Sequence, residues 1–255
     1  MCQLLGMNCN TPTDIVFSFT GFAMRGGTTD EHKDGWGIAF FEGNGVRHFV
    51  DHQAAIASPI AELIKRYPIK SKNVIAHIRK ATQGVISLEN CHPFVRECWG
   101  KYWVFAHNGD LKNFTPALGG AYHPVGATDS ELAFCYVMQE MRRHFGEKLP
   151  AIAEMAVFLR KLCAQIASHG TFNMMLSNGE AMFVHCSTKL HYIVRQYPFT
   201  TATLSDEDVA IDFSEVTTPR DKVAIIVTEP LTTNESWTPL LPGELKVFVD
   251  GDMLN

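Results

Sequence analysis

The sequence predicts an α+β fold in which strand pairs are stacked between helices. Short apolar runs bounded by turn residues fill the first part of the chain, two helix-period segments follow in the middle, and strand-like runs return at the end. Elements segregated in this way build layered α+β domains. The 255 residues are 46% hydrophobic and 19% charged, enough apolar side chain to bury a sizeable core.

Taken in order, residues 38–41, 74–78 and 103–106 read as buried strands. Gly43-Asn44-Gly45 reads as a hairpin turn, because Gly and Asn tolerate positive φ. Thr128 with Glu131 three residues on is a capping-box pattern. Beyond it Phe134, Met138, Met141 and Phe145 share one helical face. Pro150 sits near the start of a second helix, whose face is Ile152, Ala156, Leu159, Cys163 and Ile166. Residues 171–176 and 181–185, around the turn Ser177-Asn178-Gly179-Glu180, read as another hairpin, and 223–228 and 245–249 as closing strands. With no repeat, low-complexity tract or linker, residues 1–255 are expected to form a single domain.

The charge balance excludes several classes of function. Net charge is -5, from 27 acids and 22 bases, and no Lys/Arg block stands out, so no nucleic-acid partner is expected. No apolar run approaches the roughly 18 residues of a membrane span, and the N-terminus lacks the basic lead and apolar stretch of a signal peptide. Seven cysteines, an odd number without a CxxC, fit free thiols in a cytoplasmic protein. Cys91, His92 and Cys98 match no common zinc spacing, so neither metal nor cofactor is expected.

Four segments carry residues able to do chemistry. Removal of Met1 before a small second residue would make Cys2 the chain terminus. It would then hold a nucleophilic thiol and an α-amine whose reference pKa near 8 suits a base at neutral pH; the plainer alternative is a chance cysteine buried in a first strand. Arg79, at the end of a strand in Ala76-His77-Ile78-Arg79-Lys80-Ala81-Thr82-Gln83-Gly84, can grip a carboxylate through two parallel bonds, or make a surface salt bridge. In His107-Asn108-Gly109, an Asn amide beside a Gly N–H offers two donors to one point, as an oxyanion hole requires; alternatively, Asn-Gly is an ordinary turn. Asp129, at the start of the first long helix, can hold an ammonium group or serve only as helix capping and dipole complement.

Each signal is weak alone, but their order is not. Met-Cys, then Arg-x-x-Thr-x-Gly, then His-Asn-Gly, then Thr-Asp-Ser-Glu strongly resembles the class II glutamine amidotransferases, which are N-terminal-nucleophile hydrolases. The resemblance is to the stand-alone, single-domain YafJ-type members. Asp34-Gly35-Trp36-Gly37-Ile38-Ala39, Asn90-Cys91-His92-Pro93-Phe94 and Glu229-Pro230-Leu231 followed by Trp237 extend it over nearly the whole chain.

The resemblance implies a four-layer αββα sandwich with two mostly antiparallel sheets. It implies Cys2 as nucleophile, Asn108 and Gly109 as the oxyanion pair, Arg79 with the adjoining Thr82 and Gly84 as the binders of the substrate head, and Asp129 on its α-ammonium. The implied activity is a glutaminase-type hydrolase that attacks the side-chain amide of glutamine or another γ-glutamyl compound. Three versions stay open: a subunit delivering ammonia to a separate synthase subunit, a hydrolase of the γ-glutamyl amide of a thiol metabolite, and a non-catalytic binding or regulatory module. Around this set, Arg25-Gly26-Gly27 through His32 reads equally as a mobile lid or a plain surface loop. His77 and His107 read as hydrogen-bonded structural histidines.

Overall fold

The computed structural model describes residues 2–81 and 85–254. Its strands form two large antiparallel sheets and one small hairpin. The first sheet holds β1 (Gln3–Thr13), β2 (Trp36–Glu42), β3 (Gly45–Asp51), β4 (Ser71–Ile78), β9 (His191–Gln196), β12 (Lys222–Val227) and β13 (Thr238–Pro239), in the order β13-β9-β12-β1-β4-β2-β3. The second holds β5 (Phe94–Cys98), β6 (Lys101–Leu111), β7 (Gly170–Ser177), β8 (Ala181–His185), β14 (Leu245–Val249) and β15 (Asp252–Leu254), in the order β15-β14-β8-β7-β6-β5. A hairpin of β10 (Thr201–Thr203) and β11 (Ala210–Asp212) stands apart.

Strand alternation sorts the apolar residues into three layers. Leu4, Ala39, Ile75, Ala224 and Ile226 of the first sheet face Val104, Ala106, Met175, Met182 and Val184 of the second. Gly6 allows the sheets to approach there, since a Cβ would lie 2.8 Å from Met182 Sδ and 2.9 Å from Met175 Sδ. The alternate residues of the first sheet, among them Leu5, Ile38, Phe40, Val74 and Ala76, pack under α1 (Val16–Met24) and α2 (Pro59–Arg66). Those of the second, among them Trp103, Phe105, Met174 and Phe183, pack under α3 (Asp129–Phe145) and α4 (Ile152–Ala167). The result is the expected helix–sheet–sheet–helix sandwich.

The expected strands and both hairpins are present, with Glu42 opposite Gly45 and Ser177 opposite Met182. The helical faces also fall as expected: Phe134, Met138, Met141, Leu159, Cys163 and Ile166 are buried. The capping box is half formed. Thr128 Oγ1 accepts from the Glu131 N–H, but the Glu131 carboxylate turns away to Arg96 and to the N–H groups of Val125 and Gly126. The helices α1, α2 and the one-turn α5 (Phe213–Val216) were not foreseen. The α1 segment, Val-Phe-Ser-Phe-Thr-Gly-Phe-Ala-Met, is rich in aromatic and β-branched residues and lacks acids and bases, so no polar face marks a helix.

Candidate active site

Strand pairing assembles the site. In the β1–β4 register Gln3 stands opposite Ile78 and Leu4 opposite His77, so the antiparallel count sets Cys2 beside Arg79. The Cys2 thiol meets the next backbone unit: Sγ accepts the Lys80 N–H at 3.2 Å and donates to the Lys80 carbonyl at 3.4 Å. Burial pushes the thiol pKa up, and the Lys80 N–H and the Arg79 charge pull against that rise, while the Asp129 carboxylate adds to it. Arg79, just after β4, and Asp129, at the start of α3, thus both act electrostatically on Cys2.

Arg79 is only 3% exposed, so it is not a surface ion-pairing arginine. Its N–H donates to the Gly35 carbonyl at 2.8 Å, and Nη1 donates to the carbonyls of Asp34 at 3.4 Å and Val85 at 3.3 Å. Asp34 also takes the Ala81 N–H on its carboxylate at 2.8 Å. The segment from Asp34 to Trp36 therefore braces the backbone around Arg79. Thr82 and Gly84 lie outside the described residues.

Asn108 and Gly109 sit within β6, opposite Asn173 and Phe172 of β7, not in a turn. The turn expectation fails because the strand continues to Leu111. β5 pairs with β6 only as far as Phe105. Alternation from the paired Phe105 turns the N–H groups of His107, Gly109 and Leu111 to the edge that β5 has left. On that edge Leu111 N–H donates to Asp129 Oδ2 at 2.7 Å. Residue 109 must be glycine, since a Cβ there would lie 1.8 Å from the Thr171 carbonyl oxygen. Asn173 Nδ2 donates to the Asn108 carbonyl at 3.1 Å, and Asn108 itself is fully buried.

Asp129 opens α3 and receives backbone N–H groups on both oxygens, from Leu111 and, at 2.8 Å, from Ser130. Helix start and β6 edge together fix this acid, whose charge is felt at Cys2. Oδ1 also accepts from the Ser130 hydroxyl at 3.4 Å, so the capping role and a ligand role are compatible through Oδ2, which keeps a second lone pair.

The segment from Arg25 to His32 is neither a free lid nor a plain surface loop. Arg25 is buried, with Nε and Nη2 on Asp206 and further bonds to the carbonyls of Glu229 and Pro230. Asp30 accepts from Gln3 Nε2 at 3.5 Å, which brings the segment next to the residue that follows Cys2. His107 fits a structural histidine, with Nδ1 2.8 Å from Ser130 Oγ and Nε2 3.0 Å from the Thr171 carbonyl. His77 meets the hydrogen-bonded expectation only in part: it is fully buried, its polar neighbour is the His107 backbone, and no well-formed hydrogen bond reaches either ring nitrogen among the described residues. Its ring is tilted 44° against that of His92, with centroids 4.1 Å apart, and the His92 nitrogens have no hydrogen-bond partner among the described residues either. Burial lowers the pKa of His77 to about 3 and that of His92 well below the ordinary value. Among the described residues no His/Cys/Asp/Glu group could hold a metal ion, and no helix is long and apolar enough to cross a membrane.

Sequence reasoning missed Thr228 and Asn173. Thr228 Oγ1 accepts the Leu4 N–H at 3.0 Å and lies 3.4 Å from Asn108 Nδ2. The available signal for Asn173 was a lone amide inside the apolar run Phe172-Asn173-Met174-Met175. Buried amides of that kind are hydrogen-bonded to something specific.

Comparisons with known proteins give the family and the fold. A family model described as class-II glutamine amidotransferases matches residues 1–255. A Haemophilus influenzae protein named "Putative glutamine amidotransferase" is 57% identical over all of this chain and 86% of its own length. An Escherichia coli protein of the same name with the suffix YafJ is 50% identical over 99% of both. The crystal structure of a predicted glutamine amidotransferase from Pseudomonas aeruginosa superposes with a TM-score of 0.80 at 44% identity, covering both chains completely. A Bacillus subtilis phosphoribosylpyrophosphate amidotransferase shares the fold alone, with a TM-score of 0.63 at 15% identity over 99% of this chain and 48% of that one.

Proposed function

Because this chain belongs to the class-II glutamine amidotransferase family, we propose that it is a glutaminase-type enzyme whose N-terminal Cys2 hydrolyses the side-chain amide of glutamine or a related γ-glutamyl compound. The observation that carries this reading is the β1–β4 register, which sets Cys2 beside the buried Arg79 with Sγ on the Lys80 backbone.

The chemistry follows from these groups. With Met1 removed, the Cys2 amine takes the thiol proton, and the thiolate attacks the amide carbon. A base on the same residue matters because burial keeps this thiol protonated. The oxyanion that forms meets the Asn108 amide and the Gly109 N–H; losing one such donor costs about 3 kcal/mol of barrier. The ammonium form of the amine then protonates the departing nitrogen, the C–N bond breaks, ammonia leaves and a γ-glutamyl thioester remains. Water, deprotonated by the same amine, cleaves the thioester to glutamate and restores the thiol. Arg79 holds the α-carboxylate and Asp129 the α-ammonium, so an amino-acid head group positions the amide against sulfur. The proposed reaction calls on no cofactor, and the proposed enzyme is cytoplasmic.

Delivery of the ammonia to a separate synthase subunit is favoured by apolar side chains at the rim. Val85 is 75% and Val125 79% exposed, with Ile86 and Leu88 half exposed beside them. Their two loops are joined by Asn90, which bonds the Val85 carbonyl and the Ala127 N–H. Intact-mass spectrometry with a panel of γ-glutamyl amides tests the proposal. A γ-glutamyl adduct on Cys2 of the Met1-free chain supports it, and no adduct with any of them refutes it.

A further inference from the structure

An asparagine can serve an oxyanion only if its nitrogen, not its oxygen, faces the reacting carbonyl. Amide nitrogen and oxygen are nearly isosteric, so the hydrogen bonds around them decide which is which. As placed, Asn108 Nδ2 points to Thr228 Oγ1 at 3.4 Å, and the buried Oδ1 has no hydrogen-bond partner among the described residues. Thr228 Oγ1 already accepts the Leu4 N–H at 3.0 Å, so in this orientation the hydroxyl accepts both bonds. Its proton is better used toward Asn108.

A half-turn of the amide repairs this arrangement. The hydroxyl keeps the Leu4 N–H, donates its own proton to Oδ1, and ends the orphaned state of that atom. Both Nδ2 protons are then free of Thr228. We propose that Thr228 is a positioning residue for the reaction: its hydroxyl, aligned by the Leu4 N–H, holds Asn108 Oδ1 so that Nδ2 is available to the oxyanion. This rests on the proposed amide hydrolysis. Leu4 follows Cys2 by two residues on β1, so one hydroxyl ties the strand of the nucleophile in one sheet to the oxyanion donor in the other. Asn173 holds the Asn108 backbone from the far side, and Thr228 holds the side chain.

The test compares Thr228→Val, which keeps the shape and removes the hydroxyl, with Thr228→Ser, which keeps the hydroxyl. Two ligands report separately: glutamate, which uses only the head-group contacts, and the γ-semialdehyde of glutamate, whose thiohemiacetal oxygen occupies the oxyanion position. Thr228→Val should lose about 10- to 100-fold in kcat and in semialdehyde affinity, with KM and glutamate affinity within about twofold of the parent. Thr228→Ser should recover to within about threefold. Unchanged kcat in Thr228→Val, parallel loss of glutamate affinity, or no recovery in Thr228→Ser would overturn the proposal. Neutron diffraction of the unsubstituted, deuterium-exchanged chain reads the orientation without any activity. A deuteron between Thr228 Oγ1 and Asn108 Oδ1 supports the proposal; a deuterated Nδ2 aimed at Thr228 overturns it. Failure of the chain to form any γ-glutamyl adduct would instead strike the parent reading, and the neutron map judges Thr228 independently.

Discussion

At the scale of single residues, the site combines the buried Arg79 and Asn108 with the half-buried Cys2, Gly109 and Asp129. Cys2→Ala removes the sulfur and leaves β1 pairing intact, since Gln3 onward carries the register. Ammonia release from glutamine should fall by at least about a thousandfold with an unchanged melting temperature; release at the parental rate would exclude the thiol mechanism. Arg79→Lys keeps a positive charge and loses the two-pronged grip. Its KM should rise about tenfold or more while kcat changes little, and an unchanged KM would exclude the carboxylate role. Gly109→Ala differs in kind. The added Cβ meets a backbone oxygen of β7 rather than a movable side chain, so β6 and β7 must separate locally. Stability and turnover should fall together, the former by about 2 kcal/mol or more, as read by urea denaturation.

Elements explain which parts of this were legible in the sequence and which were not. The strands announced themselves as short apolar runs bounded by turn residues, because both faces of each sheet lie in core layers, and the long helices α3 and α4 through a period of about 3.6, because each has one face in a core layer. α1 and α2 were hidden: α1 has no polar face to contrast with its buried one, and α2 spans only two turns. Of the proposed site, Cys2, Arg79 and Asp129 stand at or beside the ends of elements, and Asn108 and Gly109 lie within β6 where the apolar run of that strand is interrupted. Thr228 stands at such an end too, but a threonine after a strand carries no chemical signal until Leu4 and Asn108 are seen around it. Glu131 shows the same limit. Its spacing from Thr128 promised a closed capping box, whereas its carboxylate instead gathers Arg96 Nη2 at 2.5 Å and two loop N–H groups. Glu131 is 2% exposed, so Glu131→Ala strands a partly buried arginine and two donors. The expected cost is about 3 kcal/mol in thermal or urea unfolding. A loss below about 0.5 kcal/mol would mean that the loop from residue 123 to 127 is held by something else.

For the whole molecule, buried imidazoles weigh on the response to acid: burial lowers the pKa of His107, His185 and His48, and those of His77 and His92 as well. His77 and His92 are both buried with their rings in tilted contact, so a proton on either ring would be charge without water or a counter-charge. Their pKa values are depressed for that reason, His77 to about 3. In the unfolded chain each ring titrates near 6.5. Between those limits the unfolded state binds more protons, so stability is full above about pH 6.5 and declines as pH falls toward 3. For His77 alone the total loss by the bottom of that window is on the order of 4 kcal/mol. The dependence comes from burial rather than from surface ion pairs, so added salt should leave it in place. His77→Gln, which carries no titrating group, should flatten the decline of urea-unfolding free energy between pH 6.5 and 4, whatever its effect at pH 7. If His77→Gln and the parent lose stability in parallel over that range, the ring is not buried neutral in the folded state. The assignment of His77 as an uncharged residue of the inter-sheet layer then fails.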